Sequence, residues 1–158
     1  MIKSLLTASL AIMLSVNTAL ALSCIRPDPA RSFTKAAESE DRYVVLLGTF
    51  ALPDDFTQPD GRTIKQSSAV SRFSGRLMTG EGFNEEVSAD LTIELSCSGD
   101  WCGDIKPDTT YLAYVLQTEG ALSLSVDACH SDLFAEPTEE ILETTLNCAT
   151  GGPCDIAN

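Results

Sequence analysis

Six cysteines constrain this chain more than any other feature, because all of them follow an apolar N-terminal stretch typical of exported proteins. An even number of cysteines in an exported chain indicates a disulfide framework. Zinc is the competing explanation, but zinc ligands usually come as closely spaced Cys or His pairs, and the one histidine is His130. The sequence therefore predicts a disulfide-bonded domain without a metal or a cofactor.

The spacing of the cysteines favours two local bridges. Cys97 and Cys102 enclose a short turn sequence, and so do Cys148 and Cys154, so each pair can close a local loop. In the chain-entropy model each of these short loops contributes about 2 kcal/mol to stability.

Two cysteines remain after these local pairs, and they predict a long-range bridge. Cys24 stands near the start of the chain and Cys129 follows the last apolar alternation. The loop between them is long, and the same model gives it about 4 to 5 kcal/mol. We therefore predict that this bridge ties the entry of the domain to the end of its final strand.

The chain begins with a predicted signal peptide over residues 1–21, in which a basic residue precedes the apolar run Leu5–Val16. This run is shorter than the ~20 residues of a membrane-spanning helix, so we expect no transmembrane segment. Cleavage is expected after Ala21, with Ser23 as an alternative. Lipid attachment at Cys24 is disfavoured, because Ala21 stands where lipoprotein signals usually carry leucine. We expect a secreted or periplasmic protein.

Residues 22–158 have the length of one domain and a strongly acidic composition. The net charge of the whole chain is −13. Such a field repels nucleic acid and anionic lipid, so we expect neither as a partner. We expect the domain to be a monomer that uses its charge for solubility.

Apolar patterns predict five strands. Residues 43–50 form a continuous β-branched and aromatic run, which is typical of a strand buried on both faces. Residues 87–96 alternate strictly, which predicts one face in a core and one face in water. Segments 71–77, 111–117 and 121–128 complete the set.

Helices are predicted only at the two ends of the strand region. Ala30–Glu40 has helical spacing of its apolar residues. A second helix is predicted with Pro137 in its first turn, where Glu139 and Glu140 suit the positive end of the helix dipole. Because no helix separates the strands, the pattern favours a mainly β fold, a small five-stranded barrel with flanking helices, over an α/β sheet.

Trp101-Cys102-Gly103 is similar to the start of a thioredoxin-type redox motif. The motif needs a second cysteine at position 105, where this chain has Ile105. A structural disulfide turn is the simpler interpretation, and His130 is expected to be a surface residue. We therefore expect no enzyme activity, with a thiol-redox protein using Cys97 and Cys102, or a structural envelope protein, as the alternatives.

The sequence from Cys24 to Pro29, with Phe33 soon after, resembles the start of the tissue inhibitors of metalloproteinases and the wider netrin-like domain family. The segment from Tyr111 through Gly120 to Cys129 is similar to the last two barrel strands and the closing cysteine of that family. The resemblance implies an OB-fold-like Greek-key barrel with helices at its side. It also implies the bridge from Cys24 to Cys129.

In these inhibitors the first cysteine is the mature N-terminal residue, and its amine and carbonyl bind the catalytic zinc of the target protease. Leu22 takes that place here, and Thr34 stands where the inhibitors have another cysteine. The resemblance thus implies a binding module whose N-terminal segment recognises an extracellular or periplasmic metalloprotease. The segment comprises Leu22, Ser23, Cys24 and Ile25.

Overall fold

The apolar runs form strands in the structure, a computed structural model that describes residues 23–156. The predicted signal peptide and Leu22 lie outside these residues. The described part contains two helices and seven strands. They are α1 (Pro29–Glu38), β1 (Arg42–Ala51), β2 (Gln66–Thr79), β3 (Gly82–Ser98), β4 (Trp101–Cys102), β5 (Tyr111–Thr118), β6 (Ala121–Val126), β7 (Leu133–Ala135) and α2 (Glu139–Ala149).

Strand β1 is buried on both faces, as its continuous apolar sequence predicts. Leu46 and Phe50 point into a main core that all five long strands share. Val45 and Leu47 point the other way, into a second core beneath the two helices. Strand β5 is divided between the two cores in the same manner. These two strands are therefore the wall between the sheet interior and the helices.

Strands β2 and β3 bury one face only, and their alternation is confirmed. Leu91, Ile93 and Leu95 of β3 are buried, whereas the neighbouring Asp90 and Glu94 are exposed. In β2 the fully buried residues include Phe73 and Ser71, and the arginines beside them face solvent. Side chains alternate across a strand, so one face enters the core and the other remains in water.

The strands form a mixed sheet in the order β1-β2-β3-β6-β5-β7, and β1 also pairs with β5. The pairings of the five long strands therefore return to their starting strand. Strands β3 and β6 run parallel, and the other pairings within residues 23–156 are antiparallel. A parallel neighbour needs a crossover connection, here made through β4 and β5.

The sheet has seven strands instead of the five predicted, because two short strands escaped the sequence patterns. Trp101–Cys102 pairs with the end of β3, and Leu133–Ala135 pairs with β5. Neither segment is long enough to show an alternation of apolar and polar residues. They are strands because their backbones pair with β3 and β5, respectively.

Both predicted helices are present, with shifted ends. Asp28 caps α1 by accepting a hydrogen bond of 2.8 Å from the backbone N–H of Arg31. The start predicted for the second helix was wrong, because Pro137 precedes the helix instead of lying in its first turn. The Thr138 side chain accepts a hydrogen bond from the backbone N–H of Ile141, so Thr138 is the N-cap and the helix begins at Glu139.

All six cysteines form disulfides, in the pairs that their spacing predicts. The long bridge joins Cys24 and Cys129, 105 residues apart, with a Cα–Cα distance of 5.3 Å. The others join Cys97 to Cys102 and Cys148 to Cys154.

Candidate functional site

The predicted binding segment is an exposed, extended stretch in front of α1. Ser23, Cys24 and Ile25 are exposed, and Ile25 shows 69% of its surface to solvent. Leu22, the predicted first residue of the mature chain, lies outside the described residues. A large apolar side chain on an extended segment is a suitable contact for another protein.

The disulfide holds this segment against a turn of defined geometry. Cys129 follows β6, and its backbone N–H donates a hydrogen bond of 2.8 Å to the Asp127 carboxylate. The backbone N–H of His130 donates to the Asp127 carbonyl at 3.2 Å, and His130 has a left-handed φ of 50°. Because the turn is fixed by its own hydrogen bonds, the bridge fixes Cys24 as well.

Helix α1 fastens the segment at its other end. Ser32 is buried, and its hydroxyl lies 2.7 Å from the Ser131 carbonyl. Lys35 and Asp132 form an ion pair of 2.6 Å. The hydrogen bond to Asp132 raises the pKa of Lys35 above its usual value. The segment therefore starts from a helix that is attached to the turn region carrying Cys129.

The surface beside the segment is positively charged, although the chain as a whole is acidic. Arg26, Arg31 and Lys35 line a shallow cleft of about 190 Å³, together with Ile25. These are three of the ten basic residues in the chain. Lys35 is paired with Asp132, and Asp28 also lines the cleft, so three basic and two acidic side chains leave this region with a net charge of +1. The arrangement suits a partner with an acidic rim around an apolar contact.

Tyr114 connects the start of α1 with α2 and the sheet, a role that the sequence patterns did not reveal. Its hydroxyl donates a hydrogen bond of 3.1 Å to the Pro29 carbonyl and lies 3.5 Å from the Thr145 hydroxyl. Burial raises the pKa of Tyr114 to about 12. One feature of the sequence could have predicted this role. Tyr114 stands in an apolar run expected to be buried on both faces, and a buried tyrosine hydroxyl needs a hydrogen-bond partner.

The Cys97–Cys102 bridge closes a projecting hairpin that carries Trp101, which is 67% exposed. The neighbouring loop is ordered by Asp60, whose carboxylate accepts hydrogen bonds of 2.7 to 2.9 Å from three backbone N–H groups. These hydrogen bonds hold the pKa of Asp60 below its usual value. Arg62 of that loop pairs with Asp100 of the hairpin at 3.7 Å.

His130 reaches the surface but is partly buried, with 30% of its side chain exposed. Its Nε2 atom lies 3.1 Å from both the backbone nitrogen and the Oδ1 atom of Asp104. The contact connects the turn that carries Cys129 to the loop after β4. This arrangement gives His130 a structural role.

Within residues 23–156, no three His, Cys, Asp or Glu side chains come together in an arrangement that could hold a metal ion. The helices of the same region are too short or too polar to cross a membrane.

Comparisons with known proteins give no match: no family model, no curated protein and no solved structure is significantly similar to this chain.

Proposed function

We propose that this chain is an exported, non-enzymatic binding module of the netrin-like type, whose mature N-terminal segment binds a zinc endopeptidase. The observation that carries the proposal is the combination of an exposed Ile25 with a disulfide one residue before it. A segment that is both accessible and already held in place loses little conformational entropy when it binds.

The strand pairings support an OB-fold barrel as the scaffold. Five long strands pair in a circuit β1-β2-β3-β6-β5 and back to β1. The pairing of β3 with β6 is the one parallel pair in this circuit. A five-stranded Greek-key barrel of the OB type has such a circuit. The short strands β4 and β7 are additions at its margin.

The position of the N-terminal segment supports its role as the part of the protein that contacts the protease. In the family that the sequence resembles, the N-terminal amine and carbonyl bind the protease zinc. Leu22 would supply these groups here, and the nearest crosslink is at Cys24. Pro27 and the cap at Asp28 then fix the chain direction into α1.

The positive charge of the cleft beside the N-terminal segment favours, among zinc endopeptidases, one with acidic groups around its active-site cleft. Arg26 and Arg31 flank the segment in a chain with a net charge of −13. Repulsion between the remaining acidic surface and such a protease would orient the encounter toward this one region.

Inhibition of a panel of zinc endopeptidases by mature protein that begins at Leu22 tests the proposal. We expect slower cleavage of a fluorogenic peptide by at least one member at micromolar inhibitor. Extending the N-terminus by one alanine should abolish the effect, because the amine then no longer occupies the zinc site. No inhibition of any member contradicts the proposal.

Matched substitutions separate the segment from general surface effects. Ile25→Asp should abolish inhibition, since it places a charge at the apolar contact. Val70→Asp is the control, because Val70 is also a large exposed apolar residue but lies on β2, outside the cleft beside the segment. Equal losses in the two variants would argue against the N-terminal segment as the binding site.

A further inference from the structure

A cleft of about 380 Å³ lies at the end of β1, away from the residues of the N-terminal segment. The loop after β1 forms one wall, and the loop after β4 forms the other. Its size falls within the range of about 300 to 1,000 Å³ that is typical of small-molecule sites. Its apolar lining includes Phe50, Leu52, Phe56 and Ile105.

The cleft is held open by hydrogen bonds that join its two walls. The Gln58 side chain donates to the Ile105 carbonyl at 2.8 Å and accepts from the Ile105 N–H at 3.2 Å. Ile105 itself is completely buried in the main core. A pair of opposed hydrogen bonds to one buried residue fixes the distance between the loops, so the cleft exists before any ligand arrives.

The charged groups of the cleft all have the same sign. Asp54 and Asp108 line it, and no lysine, arginine or histidine does. Neither carboxylate has a hydrogen bond or an ion pair within the described residues, and both side chains are exposed. The backbone of Asp108 is left-handed, with φ 56°, in a short loop tied at its start by the Lys106 N–H donating to the Tyr111 hydroxyl.

We propose that this cleft binds a small organic cation that has an apolar body, such as an aromatic or alkyl amine. The apolar floor would bury the body of the ligand, and the partly exposed aromatic ring of Phe56 is also suited to a cation. The two carboxylates would hold the ammonium group at the rim. An anion is repelled by the same groups, and a neutral ligand gains at most a hydrogen bond from them, without the attraction between opposite charges.

Titration of the disulfide-intact mature protein with phenethylammonium, monitored by amide NMR, tests the site. We expect shifts centred on Gln58, Ile105 and Asp108. 2-Phenylethanol has a similar body without charge, and phenylacetate has the opposite charge. We expect phenethylammonium to bind about ten-fold more tightly than the alcohol, because two partly solvated ion pairs together contribute roughly that factor. Phenylacetate should not bind.

A double variant, Asp54→Asn with Asp108→Asn, should reduce the affinity for phenethylammonium to that for the alcohol. Asparagine tolerates a left-handed backbone, so this variant should keep its fold. Asp41→Asn with Asp155→Asn removes two exposed carboxylates elsewhere and should leave the affinity unchanged. Shifts scattered over the surface, equal binding of the alcohol, or equal losses in both double variants would overturn the proposal. The N-terminal segment is untouched, so protease inhibition reports separately on the proposed function.

Discussion

Gly48 and Gly75 face each other across β1 and β2 at a distance that only glycine permits. A Cβ atom on Gly48 would lie 2.3 Å from the Ser74 carbonyl oxygen, and one on Gly75 would lie 2.3 Å from the Leu47 oxygen. The Phe73 ring covers both glycines, with its tip 2.8 Å from either Cβ position. Glycine pairs of this kind let a sheet bend sharply, and the ring fills the space that side chains would otherwise occupy.

We therefore expect Gly75→Ala to lower the free energy of unfolding by about 2 to 3 kcal/mol, because backbone must move to admit the methyl group. Gly80→Ala is the control, since no atom lies within 4 Å of its Cβ position and its φ is ordinary. Urea unfolding monitored by circular dichroism measures both. A Gly75→Ala midpoint equal to that of Gly80→Ala would contradict the close approach.

Removing the long disulfide should destabilise the protein more than removing a short one. The Cys24→Ser, Cys129→Ser variant frees a loop of 105 residues, and we expect a loss of about 4 to 5 kcal/mol. The Cys97→Ser, Cys102→Ser variant frees a loop of 5 residues and should lose about 2 kcal/mol. Denaturant unfolding of both variants checks the difference. Equal losses would mean that the long bridge does not restrict the unfolded chain.

Stability should fall at high pH through Tyr114. Its folded pKa is about 12, above the ordinary value of 10.0, because burial disfavours the phenolate. A raised pKa means that the contribution is complete below pH 10 and is lost as the pH rises toward 12. Absorbance titration should show the Tyr114 phenol ionising late, and this late step should be absent from Tyr114→Phe.

Tyr114→Phe removes this pH dependence and should cost about 1 kcal/mol at neutral pH, since the Pro29 carbonyl loses its hydrogen bond from the phenol. Tyr43→Phe is the control, because the Tyr43 hydroxyl makes no hydrogen bond within residues 23–156. Lys35, whose pKa is also raised, chiefly by its hydrogen bond to Asp132, should still contribute a loss above pH 10.5 in both variants, somewhat reduced in Tyr43→Phe because Tyr43 also raises that pKa. An alkaline profile unchanged by Tyr114→Phe would contradict the assignment.

The ion pair between Lys35 and Asp132 should matter more than a pair on the open sheet surface. Asp132 has only 21% of its side chain exposed, whereas both partners of the Arg72–Asp90 pair are more than half exposed. We expect Asp132→Asn to cost about 1 kcal/mol and Asp90→Asn a few tenths, because solvent screens the exposed pair. Thermal unfolding at low and high salt distinguishes the two. If the two substitutions caused equal stability losses that both fell strongly with salt, the Lys35–Asp132 pair would be screened as much as the Arg72–Asp90 pair.

Much of the fold follows from local patterns. The continuous run of β1 and the strict alternation of β3 predict how each strand is buried, since side-chain direction along a strand has a period of two. The two local disulfides follow from cysteine spacing, because closely spaced cysteines can meet without help from the rest of the chain, and the long bridge joins the two cysteines that remain. In the candidate site, Ser23, Cys24 and Ile25 are exposed, and their role in binding stays a prediction.

Other features depend on contacts that no local pattern encodes. The parallel pairing of β3 with β6 and the return of β5 to β1 join segments far apart in sequence. Tyr114 beneath the helices, His130 against Asp104, and the cleft held open by Gln58 appear only once those segments meet.

By itself the sequence determined where the five long strands lie, which of their faces are buried and which cysteines form the two local bridges. Each of these depends on the chemistry of a few neighbouring residues. The tertiary structure alone decided the strand order, the meeting of Gly48 with Gly75 and the shape of the cleft. These features depend on how segments that are distant in sequence pack together in one close-packed core. That packing is defined only when the whole chain has folded.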